Sequence, residues 1–417
     1  MIGKLFYTYK RSIFTIFTIG SCMVLLIKCT GSADKKDALN ANPQLDDNHF
    51  IGSATCANCH KDIFEKHIKT AHFLTSQIAT AQNIKGSFEA GKNEFVFSPY
   101  SKMVMEKRDS GFYEVEYENG VEKKARPFSI TVGSGKTGQT YLYWFKNNLG
   151  QLPISYLTMA AQWSNSPGYG NRIIYNRPIT SRCLECHSTY VQTISAPNVE
   201  PEQFNHNQIV YGVDCEKCHG PAEKHVAFQT QNPTIKTAKY IIDPKTFTRK
   251  QSLDMCQLCH GGRLTKKQPS FSFKPGDKLE DYFAIDSTAK DVNDIDVHGN
   301  QYGLLAASQC FKNSQMTCLT CHSPHENETG RLATFSQRCI TCHNNENNND
   351  AHIKVCKLTT LLGASIKNNC IDCHMPEQPS KAIAMQLQGN EMPTQALMRS
   401  HLIKIYPEAT KQFLNKK

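Results

Sequence analysis

The chain is short of apolar side chains. They make up 39% of its 417 residues even with tyrosine counted, below the roughly 45–50% usual for a globular domain. Side chains alone therefore leave the core incomplete. The N-terminal apolar run "SIFTIFTIGSCMVLLI" is 16 residues, short of the roughly 20 that cross a bilayer comfortably. A phosphate-binding loop is missing too: Gly135-Lys136-Thr137 ends like one, but Ile130 stands where its first glycine belongs, which leaves a tight turn. No repeat of fixed period runs along the chain, since successive first cysteines of the motif described next are 32, 41, 62, 21 and 31 residues apart from Cys183 onward.

What is abundant is Cys-x-x-Cys-His. It occurs seven times, as Cys56/Cys59/His60, Cys183/Cys186/His187, Cys215/Cys218/His219, Cys256/Cys259/His260, Cys318/Cys321/His322, Cys339/Cys342/His343 and Cys370/Cys373/His374. We number these units one to seven. They use fourteen of the eighteen cysteines and leave Cys22, Cys29, Cys310 and Cys356. A zinc ribbon pairs Cys-x-x-Cys units into four-cysteine sites and needs no histidine after each. A thioredoxin-type pair occurs once, ahead of a helix in a βαβ setting. An odd number of units, each ending in histidine, fits neither. The spacing is that of covalent c-type haem attachment, in which two thiols take the vinyl groups and the adjacent histidine becomes the proximal iron ligand. Seven covalent haem c groups are therefore expected, and their rings supply the missing core.

The formal charge is +10, and removing residues 1–28 with Lys4, Lys10, Arg11 and Lys28 leaves +6. Each ferric haem brings about one net negative charge through its two propionates, so seven nearly cancel the excess. No nucleic-acid partner is needed to explain it. Residues 1–28 read as an export or lipoprotein signal, with Cys29 or Cys22 as the lipidated residue, or as an uncleaved anchor. Residues 29–49 are a polar tether. Either reading ties the protein to a lipid membrane and puts its body in the periplasm or at the outer membrane.

The expected fold class is α+β. Residues 50–82 form the first haem segment and 83–180 a β-rich insert. Within that insert, alternating apolar and polar residues and turn signals at Asp109-Ser110-Gly111 and Asn119-Gly120 predict an antiparallel meander. Residues 181–405 form a six-haem domain of short helices and long loops, with a polar low-complexity loop over 343–350, and 406–417 a tail.

"FIGSATCANCH", "TAHF", "VGSGKTGQTYLYWF", "LPISYLTMAAQWSNSPGYG", "GVDCEKCHGPAEKHV", "MTCLTCHSPH" and "CIDCHMP" resemble the multihaem cytochromes c grouped with the tetrahaem electron-transfer cytochrome of nitrifying bacteria. Hydroxylamine oxidoreductase and pentahaem nitrite reductase are more distant relatives of that group. The resemblance runs from about residue 50 to 401. It implies packed bis-histidine haems in a periplasmic or outer-membrane redox protein, with redox partner proteins such as quinol-oxidising or other cytochrome subunits. His72, His225, His298, His325, His352 and His401 occupy places where similar proteins carry a histidine, which makes them the expected distal ligands. The Cys-x-x-Cys-Lys unit of the catalytic haem in pentahaem nitrite reductase is missing.

His325 follows His322 by three residues across Pro324, too few to pass round the ring edge to the far face of the same haem. It is expected to serve a neighbour. His49, His67 and His206 remain as surface, core or ligand histidines, with His67 sharing a helical face with Phe64, Ala71, Leu74 and Ile78. Six candidates for seven irons separate two functions. If all irons are six-coordinate, the chain is an electron conduit, of the low potential that bis-histidine ligation confers. If one is open, it is an oxidoreductase for a small nitrogen or sulfur oxyanion. Met316 and Met375 sit too close to motif residues to close the gap well. A docking subunit that uses the meander as its interface is a third class. Cys310 and Cys356 form a disulfide or stay free thiols. Arg172, Arg177 and Trp163 line an anion site or seat propionates.

Overall fold

The computed structural model describes residues 49–285, 291–343 and 356–415. The signal or anchor, its Cys22 and Cys29, and His352 lie outside the described residues. The main body comprises residues 45–195 and 199–417. It combines short helices with antiparallel sheets, an α+β arrangement.

Strand β1 (Ser76–Ile78) leaves the first haem segment and joins a sheet formed mainly by later residues. Next comes the meander: β2 (Glu94–Ser98), β3 (Ser101–Arg108), β4 (Gly111–Glu118) and β5 (Val121–Pro127) pair in sequence order as a four-stranded sheet. Its turns fall at the two signals read from the sequence. Arg108 pairs with Gly111 across Asp109-Ser110, and Glu118 pairs with Val121 across Asn119-Gly120. Asn119 and Gly120 both have positive φ, at 52° and 76°, as the mirror-image hairpin turn requires.

The second sheet holds β1, β6 (Ile130–Val132), β7 (Gly138–Phe145), β8 (Asn148–Gln151), β9 (Ile154–Leu157) and β10 (Gln162–Asn165). Gly133 and Gly135 lie in the β6–β7 turn with φ of 102° and 79°, so Gly135-Lys136-Thr137 is a hairpin turn. The core between the sheets is built from Phe95, Met103 and Met105 on one side and Tyr141, Tyr143, Ile154 and Trp163 on the other. Each fully buried side chain of this size contributes about 1.5–3 kcal/mol. Strand β7 is buried on both faces, because its Leu142 packs instead with Ile130, Leu149, Leu184, Val191 and Phe204. Leu184 lies inside unit two, so β7 fixes that unit against the sheet.

From residue 181 onward the helices are short, as expected, but three hairpins accompany them: β11 (Ser188–Thr193) with β12 (Phe204–Tyr211), β13 (Leu264–Lys266) with β14 (Phe283–Ile285), and β15 (Glu377–Met385) with β16 (Thr394–Arg399). Two of these hairpins are interrupted by bulges and the third has strands of three residues, which hides their period. The helical face drawn from Phe64 to Ile78 is a correction: the helix stops at His67, and Ile78 pairs with Ile130 in a sheet. Gly212 is required where the chain crosses the first haem segment. Its φ is +67°, and a Cβ would lie 2.2 Å from the Phe73 carbonyl oxygen.

Candidate functional site

Each motif occupies about one turn. Units two, three and four lie in the helices Ser181–His187, Cys215–His219 and Arg249–His260. In units one, five, six and seven the histidine N–H donates to the carbonyl of the first cysteine, at 2.8, 2.9, 2.9 and 3.0 Å for His60, His322, His343 and His374. One turn brings residues i and i+3 or i+4 near one another, which sets both thiols of a unit close to its imidazole.

The thiols also meet between units. Cys56 lies beside Cys215, Cys186 beside Cys259, Cys256 beside Cys318, and Cys339 beside Cys370. Cys218 acts electrostatically on Cys256, and Cys342 on Cys321. Units one, three, four, five, six and seven thus follow one another in space, with unit two branching from unit four.

Not every motif cysteine sits in the interior. Cys59, Cys183 and Cys342 are exposed, whereas the other eleven are partly or fully buried. In unit one the helix Ser53–Cys56 ends at the first cysteine. Cys59 falls in the turn beyond it, with its N–H on the Cys56 carbonyl at 3.2 Å, so Cys56 takes the contact with unit three and Cys59 faces outward. Cys183 is outward for a different reason: its helix buries Leu184 and Glu185 instead. One edge of each of these three units therefore lies at the surface, and at units one and six the motif histidines His60 and His343 are exposed with it.

Histidines from one segment face motif histidines of another. The ring centroids of His72 and His260 are 6.1 Å apart, as are those of His325 and His219 and those of His401 and His322. His298 is the first electrostatic neighbour of His187. Two metal–nitrogen bonds of about 2 Å, with about 1 Å from each nitrogen to its ring centre, place trans imidazoles about 6 Å apart. The three ring pairs therefore leave room for one iron each. His325 stands opposite unit three, not its own unit.

The remaining ring nitrogens are held as a metal-binding histidine requires. The Nδ1–H groups of His219, His374 and His225 donate to the carbonyls of Ile242, Lys404 and Lys239, at 2.9, 3.0 and 2.9 Å. Nδ1 of His187 is 3.0 Å from the Thr75 hydroxyl, and that of His260 is 3.1 Å from Oε1 of Gln301. Each arrangement leaves Nε2 for a metal. Burial lowers His72, His187 and His401 to about 4, and it also lowers His260, His298, His322 and His325. These imidazoles stay neutral at pH 7, the form that binds iron.

His67 is different. It is 6% exposed, and both ring nitrogens lie 3.2 Å from backbone carbonyls, of Pro324 and Val213. Its ring meets His325 edge-on at 6.4 Å, so it packs against that residue, and its nitrogens face protein oxygens, with Asp214 3.8 Å from Nε2. His206 stacks on Trp144 at 3.7 Å and has Nε2 on the Lys146 carbonyl. His49 is exposed and hydrogen-bonds Glu223 through its ring and its backbone N–H.

Sequence reasoning missed the acids inside and beside the motifs. Glu216, at 3% exposure, accepts from the N–H groups of Ile51, Gly52 and Ala222 at 2.8–3.1 Å. It clips unit one to unit three, and burial raises its pKa against the pull of those donors. Glu185 of unit two accepts from Phe271 N–H and Arg182. The signal was a carboxylate between two haem-motif cysteines, where an exposed turn needs none.

The sequence leaves alternatives open for three other readings. Cys310 lies near Cys321 and Cys342 while Cys356 lies near Cys373, and both are free thiols, so they form no disulfide. Trp163 is buried in the sheet core with its indole N–H on the Ser87 carbonyl, so it lines no anion site. Arg177 braces its own loop, donating to Gln151 and the Pro167 carbonyl and lying over Tyr169. Arg172 is exposed.

Residues 170–220, which contain units two and three, match the family model described as cytochrome c554 and c-prime. No curated protein sequence matches the chain. Among solved structures, the outer cell wall cytochrome OcwA is similar, with a TM-score of 0.51 at 16% identity over 87% of this chain and 81% of that one. The chain therefore shares its fold with a multihaem cytochrome and carries, over residues 170–220, a segment similar to the cytochrome c554 family.

Proposed function

We propose that the chain carries seven covalent haems and passes electrons along them outside the cytoplasm, as part of a respiratory chain. The observation that carries this reading is the set of three imidazole pairs at 6.1 Å, each joining two different segments of the chain. Thiols of successive units in contact support a continuous path. An extracytoplasmic body agrees with where c-type haem is attached and with the similar outer cell wall cytochrome, and residues 1–28 would tether it to a membrane.

Haem iron supplies reversible one-electron exchange between Fe(III) and Fe(II). The protein's contribution is positional. The cysteines would hold each haem edge, and the motif histidines together with His72, His298, His325 and His401 would supply the iron ligands. Carbonyl and side-chain acceptors set Nδ1 of His187, His219, His225, His260 and His374 so that Nε2 would be left for a metal. Linking a ligand from one unit to the iron of another holds neighbouring haems at fixed separation. The exposed edges at Cys59, Cys183 and Cys342 are where electrons would enter and leave. Partners are other redox proteins, either quinol-oxidising or cytochrome subunits.

Potentiometric titration of the haem absorbance tests this. Histidine pairs favour Fe(III) and give lower potentials than histidine–methionine sets. Reduction should be low in potential and spread over several steps. A single high-potential step would contradict the reading.

A further inference from the structure

None of the imidazole pairs at 6.1 Å includes His67, yet it is buried where three segments meet. It ends the helix Lys61–His67 of the first haem segment. Its Nδ1 lies 3.2 Å from the carbonyl oxygen of Pro324, the residue before His325. Its Nε2 lies 3.2 Å from the carbonyl oxygen of Val213, two residues before Cys215 of unit three. Val213 is fixed in turn, because its N–H donates to the His72 carbonyl at 2.9 Å. The next residue, Asp214, accepts the Cys215 N–H at 2.8 Å and caps the helix Cys215–His219. Lys66, beside His67, pairs with Glu326 at 2.9 Å. Residues 66 and 67 thus grip the chain on both sides of His325 and tie it to the start of the helix that carries His219. The His67 ring also stands edge-on to His325, with 70° between their planes, which restricts rotation of the His325 imidazole.

We infer that His67, helped by Lys66, is a positioning residue that orients His325 toward His219 at the unit-three site. This rests on the reading that one iron sits between those two rings. Orientation matters there as well as distance. The three imidazole pairs share a separation, but their planes differ by 12° for His325 and His219, 32° for His401 and His322, and 61° for His72 and His260. The loop that bears His325 has a brace of its own, in which Glu328 accepts the Ser323 N–H at 2.9 Å and pairs with Arg338. Arg338 also donates to the Cys321 carbonyl, so that brace fixes the loop to unit five. The tie to unit three runs through His67. The Lys66–Glu326 pair lies at the surface, where ion pairs contribute little, so the buried contacts of His67 carry most of the hold. Hydrogen-bonding groups behind a ligand are what set its orientation at a metal.

The experiment uses the full haem-loaded protein and reads electron paramagnetic resonance of the oxidised state, with haem content as the control for assembly. Imidazole planes 12° apart give a rhombic low-spin ferric signal, and turning one plane raises its largest g-value. His67→Leu fills the space without a hydrogen-bonding group. It should move one rhombic component to higher g while haem content and the number of low-spin haems stay the same. His67→Gln keeps an amide NH2 for the two carbonyls and should give the parent spectrum. Lys66→Glu, a surface change, repels Glu326 and should move the same component less far. A parent spectrum in His67→Leu overturns the inference, as does a His67→Gln spectrum shifted as far as that of His67→Leu. Where His67→Leu assembles no haem, a parent spectrum in Lys66→Glu overturns it. His325→Ala separates this from the reading beneath it. An unchanged spin count in His325→Ala means that the two rings share no iron. A new high-spin haem in His325→Ala, beside a parent spectrum in His67→Leu, keeps the ligand pair and removes only the role of His67.

Discussion

The imidazoles of His325 and His219 lie 6.1 Å apart and within 12° of parallel, although 106 residues separate them in the chain. His325 belongs to the segment of unit five, and His219 to unit three. Replacing His325 by alanine should turn one haem from low to high spin without changing haem content. His401→Ala should do the same at unit five, where His401 faces His322, and the double variant should show two. Electron paramagnetic resonance checks all three. A His325→Ala protein with an unchanged spin count would mean that unit three takes its second ligand elsewhere.

Glu216 predicts a different defect. Its three N–H donors are left unpaired in Glu216→Ala, and a buried unpaired group costs about 1–3 kcal/mol. With Ala222 fully buried and the other two partly so, a loss of about 3 kcal/mol is expected in denaturant unfolding. Glu216→Gln keeps an acceptor and should lose less than half of that.

Acid should destabilise the haem-bearing body. Burial lowers His72, His187 and His401 to about 4 in the folded protein, whereas an unfolded histidine titrates near 6.5. Between those values the unfolded chain binds more protons, so stability is present above about pH 6.5 and lost as pH falls toward 4. Each histidine contributes on the order of 3 kcal/mol to that loss, and an iron bond to the same nitrogen acts in the same direction. Thermal unfolding measured between pH 7.5 and 4.5 should show the midpoint falling across this window.

The β-rich part carries a residue of opposite sign. Glu114 is 0% exposed, and its Oε1 accepts the Ile154 N–H at 2.9 Å while Oε2 has no partner among the described residues. It pins the four-stranded sheet to the six-stranded one. Burial holds its carboxyl well above the usual range. A raised folded pKa means stability present below the unfolded value of about 4.3 and lost as pH rises. Glu114→Gln keeps an acceptor for Ile154 and removes the ionisable group, so it should be more stable than the parent at pH 8 and equal to it near pH 4. Glu114→Ala should lose about 2 kcal/mol near pH 4, since it leaves the Ile154 N–H unpaired, and less at pH 8, where it too removes the ionisable group.

The haem units and the meander were legible in the sequence because both write a short, local signal. Seven copies of one pentapeptide are self-evident, and the β3–β4 and β4–β5 turns follow from residues that tolerate the backbone they need. That His325 faces away from its own unit was legible, since three residues are too few to reach round a ring. Which unit it faces was not, because the pairing with His219 depends on folding across 106 residues. The exposure of Cys59 was hidden as well, because the motif reads the same whether its second cysteine continues a helix or falls in the turn after one. His67 and Glu216 were illegible for a reason of their own. Their partners are backbone atoms of Pro324, Val213, Ile51 and Gly52, and backbone atoms leave no trace in composition. The hairpins after residue 181 escaped notice because their strands run three to nine residues and are in part broken by bulges.

The most direct test of the account is the intact mass of the purified protein. Seven covalent haem additions per chain are predicted, and the Cys-x-x-Cys-His cysteines, exposed Cys59 among them, should resist thiol alkylation while Cys310 and Cys356 react after unfolding. A mass carrying fewer than seven haems, with motif cysteines open to alkylation, would contradict it.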